Sequence, residues 1–156
     1  MGMRRSQVNT VSTSAKCRNT LSDILSANAF ATGVKKTSEI LEELPAGFAG
    51  TLDCLLKRCH VTTNKLSELT DLSITTITRY RTDNNIRRKL SVVVLICLAL
   101  KLNAIFSFDL IRKAGFSFNC SIEHIAYQTL LLASGTLTIE QCNEYLTSIG
   151  LKPLNK

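Results

Sequence analysis

Between positions 74 and 79 the sequence runs ITTITR. On a helix, 74/75 and 78/79 lie one turn apart, so Ile74, Thr75, Thr78 and Arg79 project together from one face. That set has a definite chemistry. Threonine hydroxyls bond to base edges or phosphates. Threonine and isoleucine methyls meet the methyl of thymine, and a guanidinium makes a two-pronged bond to guanine. A wet, partnerless helix face has the same composition. Arg81, Arg87, Arg88 and Lys89 follow closely and shift the balance toward an anionic partner.

The other reactive residue types form no comparable set. Cys54, Cys59 and His60 are close in sequence, as are Cys120 and His124, but structural zinc sites usually join two close pairs of ligands. Cys54 and Cys59 are also five apart on an expected helix and point in different directions. No third group is visible to orient a Cys–His nucleophile. A glycine-rich phosphate loop and paired carboxylates are also missing from the pattern. Gly2 with Ser6 fits a lipidation motif literally, as short motifs often do by coincidence. The expectation is a protein that is not an enzyme and needs neither metal nor cofactor.

Six cysteines occur, and no apolar run follows Arg4 and Arg5. That pattern leads us to expect reduced thiols in the cytoplasm rather than a disulfide frame. Cys97 lies inside VVVLICLAL, as a small buried apolar residue would. That run, Val92 to Leu100, is nine residues, far short of the ~20 that cross a bilayer, so no membrane partner is expected. It suits a helix at the centre of a bundle.

Charge is unevenly spread. Residues 37–56 carry net −4 and residues 57–101 net +6, while residues 102–156 are neutral. Residues 1–19 have no apolar period and form an expected flexible basic arm. The arm is either plain disordered sequence, which the composition favours, or a source of extra phosphate or minor-groove contacts. Residues 20–45 hold two expected short helices, one from Leu21 with Gly33 beyond its end, and one over SEILEEL stopped by Pro45 and Gly47. TLDCLLKRC makes a helix capped by Thr51. AIFSFDLIRKAG closes on Gly115, and Gly135 and Gly150 close two further helices. Thr138 with Gln141 has the spacing of a capping box. No strand is expected, and the fold class is all-α.

The stretch LSELTDLSITTITRY is two helices and a corner. Thr63 to Thr70 is the first helix, Asp71 and Leu72 form the corner, and Ser73 caps the second. Leu66 and Leu69 lie three apart on one face of the first helix, Ile77 and Tyr80 share one face of the second, and Leu72 at the corner can join them in the core.

With that corner in place, TNKLSELTDLSITTITRY resembles the helix-turn-helix of lambda-repressor-like (XRE-type) DNA-binding domains. Counted from Thr63, the family's apolar, small and turn positions fall on Leu66, Ser67, Asp71, Leu72, Ile77 and Tyr80. Asp71 stands where the family usually has glycine, and Ile74 where it is often polar. The resemblance spans roughly residues 48–114, one helix before the motif and two after it. It implies a five-helix bundle over 46–118, with additional C-terminal helices over 119–156. It implies base reading by Ile74, Thr75, Thr78 and Arg79. Phosphate contacts fall on Thr63, Asn64, Arg81, Asn84, Asn85, Arg87, Arg88 and Lys89. The implied function is sequence-specific binding of double-stranded DNA by a bacterial or phage-type transcriptional regulator. Self-association is expected, if anywhere, through the helices Ile122 to Ser134 and Ile139 to Ser148. The alternative is a protein-interaction module that keeps the fold without reading DNA, with Leu69 and Ile74 exposed for a partner.

Overall fold

The computed structural model describes residues 27–155. Among them are eight α-helices and no strand. They are α1 (Ala27–Glu43), α2 (Phe48–Arg58), α3 (Thr63–Thr70), α4 (Ile74–Thr82), α5 (Leu90–Ala99), α6 (Ala104–Lys113), α7 (Ile122–Leu132) and α8 (Ile139–Ser148). The basic arm lies outside the described residues, as does the expected helix start at Leu21. The chain divides into two compact units, one ending at Glu43 and the other running from Leu44 to Lys156.

α1 corrects the expectation of two short helices. It runs unbroken through Gly33 and buries none of its residues. An interior glycine costs only about 1 kcal/mol relative to alanine, and the neighbouring alanines and lysines are good helix formers. The helix ends just before Pro45, as expected.

In the second unit the centre is α5. Val93 to Leu98 are all buried, so this helix has no wet face. It packs against α3, α6, α7 and α8. Three β-branched valines are tolerated because burial on all sides outweighs a few tenths of a kcal/mol of helix propensity each. Cys97 is part of this core, and burial pushes its thiol up to about 12.

Thr51 does not cap α2. That helix begins three residues earlier, after Gly47, and buried Thr51 instead donates its hydroxyl to the Pro45 carbonyl at 2.8 Å. The free amide of Ala49 is taken by the side-chain oxygen of Asn84 at 3.0 Å, from a loop 35 positions downstream. A Cβ at Gly47 would sit 2.8 Å from that same oxygen, so the absent side chain makes room for the remote cap. Ser73, Asn103, Ser121 and Thr138 all cap their helices locally, and Thr138 with Gln141 forms the full capping box.

Gly115 and Gly150 adopt the left-handed backbone expected of helix ends; Gly135 does not. α7 has already stopped at Leu132, and buried Ser134 hydrogen-bonds to the Leu102 carbonyl. The C-terminal helices α7 and α8 both pack on α5 within the same unit. No helix among the described residues is long and apolar enough to cross a membrane.

Leu95→Ala should lower unfolding free energy by about 2–5 kcal/mol, because a rigid all-round core cannot collapse into the void. Urea denaturation monitored by helical circular dichroism checks this.

Candidate functional site

The corner between α3 and α4 is built by short polar bonds around one unusual residue. Asp71 has φ 58, a left-handed conformation, and its amide donates to the Ser67 carbonyl at 2.9 Å. Ser67 donates its hydroxyl to the Leu72 carbonyl at 2.6 Å. Thr70, buried, donates to the Leu66 carbonyl and accepts from the Leu72 amide at 3.3 Å. Ser73 then turns extended, and its hydroxyl oxygen accepts from the Thr76 amide at 3.1 Å. Backbone groups that the break in the helix would strand are thereby paired.

α4 has two faces. Ile77 and Tyr80 are buried against the core. Ile74, Thr75, Thr78 and Arg79 are exposed together on the opposite face. The Arg79 side chain has no hydrogen bond or ion pair among the described residues, so its guanidinium fork is available. Its residue spacing is the one expected from the sequence.

The basic residues around this face divide into two groups. Arg81 is turned inward. Its guanidinium pairs with Asp53 on α2, with Nε at 3.0 Å, and also donates to the hydroxyl of Thr63 at the start of α3. One side chain thus ties three helices. Arg88 lies over the Phe48 ring at 4.2 Å and donates to the backbone carbonyls of Asn84 (3.1 Å) and Asp83 (2.6 Å). Desolvation lowers its pKa. Phe48 in turn meets Tyr80 edge-on, with ring centroids 6.0 Å apart. Thr63, Arg81, Asn84 and Arg88 therefore hold the frame that aims α4. Asn64, Asn85, Arg87 and Lys89 are exposed. Beside the start of α3 a cleft of about 610 Å³ opens between Lys57, His60, Thr62, Asn64 and Arg81.

Asp53 was missed by sequence reasoning as a site-building residue. Its link to Lys57, four residues on, is legible as an i,i+4 pair, at 2.6 Å; its link to Arg81 spans 28 positions and leaves no local trace. Hydrogen bonds from Lys57 and then Arg81 hold its carboxyl below the usual carboxylate range.

The cysteine and histidine pairs do not assemble. His124 accepts the Asn119 amide on Nδ1 at 3.0 Å and stacks edge-on against Phe118. Among the described residues no three His, Cys, Asp or Glu side chains are grouped to hold a metal.

No protein-family model matches this chain, and no match was found among curated proteins or solved structures.

Arg81→Ala should lower the thermal midpoint by several degrees, since it leaves the partly buried Asp53 carboxylate short of a partner. Arg79→Ala should leave the midpoint unchanged, and differential scanning fluorimetry separates the two. A depressed folded-state pKa means that Asp53 contributes stability above its unfolded value of about 3.9 and loses it as pH falls through the folded value. Asp53→Asn should therefore flatten the loss of stability below about pH 4, measured by urea melts at stepped pH.

Proposed function

We propose that the chain binds double-stranded DNA through α4 and acts as a non-catalytic transcriptional regulator of bacterial or phage type. In this reading α2 to α6 are a lambda-repressor-like five-helix bundle and α3–α4 its helix-turn-helix. The observation that carries it is the left-handed break at Asp71, which leaves Thr75, Thr78 and Arg79, whose side chain has no partner among the described residues, side by side on the outer face of α4. Arg79 would read guanine, the threonines base edges, and Ile74 a thymine methyl. Asn64, Asn85, Arg87 and Lys89 would touch phosphates and fix the register.

The C-terminal helices would supply a second copy. Ile122, Ile125 and Leu132 are exposed along α7, Ile122 at 68% and Leu132 at 71%. With Tyr145 of α8 and Ile149 just past its end, the first two border an apolar cleft of about 420 Å³. Two copies joined there would address half-sites about one or more helical turns apart.

One observation favours the second reading, a protein-interaction module. Ile74 is 51% exposed and Leu69 38%, an apolar pair beside the polar row. The two readings separate on salt. A DNA reader with about six phosphate contacts should lose roughly a thousandfold in affinity for random duplex between about 50 and 200 mM salt. Arg79→Ala should cost about 1–3 kcal/mol on a selected site and little on random duplex. Fluorescence anisotropy measures both. Undetectable duplex binding even at low salt would leave the interaction module as the better reading.

A further inference from the structure

The left-handed corner carries an aspartate, and the structure shows what its side chain holds. After α8 the chain reverses at Gly150, where φ is 80, and Leu151 donates its amide to the Leu146 carbonyl at 2.9 Å. The tail then runs back along the bundle. Leu154 is buried, and its amide donates to the side-chain oxygen of Asn143 on α8 at 2.8 Å. The Asn143 amide nitrogen donates to the Asn155 side-chain oxygen, also at 2.8 Å. Asn155 completes the chain by donating to the Asp71 carboxylate at 3.0 Å, across 84 positions of sequence. Three side chains therefore run in a line from α8 to the α3–α4 corner.

We infer that residues 151–155 are a strap whose Asn155 is a positioning residue for α4, acting through Asp71. Aspartate is a poor choice for this corner on backbone grounds, since glycine takes a left-handed conformation without strain. Its negative charge also sits at the C-terminal end of α3, the unfavourable end of the helix dipole. The amide of Asn155 offsets that charge with a charge-assisted bond. A glycine would offer the tail no handle. The strap thus explains why a strained, wrongly charged residue occupies the corner. It also ties the orientation of α4 to α8, whose Tyr145 borders the apolar cleft. Any event that shifts α8 is felt at the helix proposed to read DNA. The functional consequence rests on the DNA-binding reading; the strap itself does not.

The test is a double-mutant cycle in the full chain. Asn155→Ala should speed amide exchange at Asp71 and Leu72 by about threefold to tenfold, the range of one modest hydrogen bond. Exchange at Leu95 and Ile96 in the core should not change. Affinity for a selected duplex should fall by about the same factor. In an Asp71→Gly background Asn155→Ala should do neither, and in an Asp71→Asn background, where an acceptor oxygen remains, its effect should return. Unchanged exchange at the corner would overturn the strap, as would equal acceleration in the core or an undiminished effect in the Asp71→Gly background. If the unaltered protein binds no duplex, the DNA reading fails, and the exchange measurements still decide the strap.

Discussion

The second unit is organised around a backbone reversal that costs energy. Asp71 takes a left-handed conformation that a residue with a Cβ adopts at roughly 1 kcal/mol. Without it α3 would continue as a rod, and the residues of α4 that face outward would be swept around its circumference. Every polar bond near the corner defends that single conformation. Ser67 holds the Leu72 carbonyl, Thr70 the Leu72 amide, and Ser73 the free Thr76 amide in the first turn of α4. The tail adds Asn155 from the far end of the chain.

Apolar burial and polar framing divide the work. α5 supplies a core with no solvent face, and helices from both halves of the unit settle on it. Burial of that kind is non-directional. It holds the helices close but does not set where α4 points. Direction comes from Arg81, which ties α4 to α2 and to the start of α3, and from Arg88 stacked on Phe48 beside Tyr80. The dense basic block that first suggested an anionic partner is thus partly structural. Arg81 and Arg88 serve the frame, and Arg79, Arg87 and Lys89 remain on the surface. Net charge overstates the charge available to a ligand.

What was legible in the sequence was local. The limits of α3 and the cap at Ser73 follow from neighbouring residue types, as do the buried Ile77 and Tyr80 and the capping box of α8, whereas Leu69 is exposed and Leu72 at the corner only half-buried. The outward row of Ile74, Thr75, Thr78 and Arg79 follows from helical spacing alone. What was not legible was remote. The start of α2 depends on Asn84, the inward turn of Arg81 on Asp53, and the corner on Asn155. None of these pairs is within a helical turn, so no periodicity encodes them. Gly33 departs from expectation for a different reason: a glycine weakens a helix without ending it when its neighbours are good formers.

The central claim is that the outer face of α4 is where duplex DNA sits. Titrating a short random duplex into isotopically labelled protein at low salt, and following backbone amide shifts, tests it directly. Perturbations concentrated at residues 74–79, with a second group at 63–64 and 85–89, are the predicted result. Shifts confined to Ile122, Ile125, Tyr145 and Ile149, or no shifts at all, would contradict it.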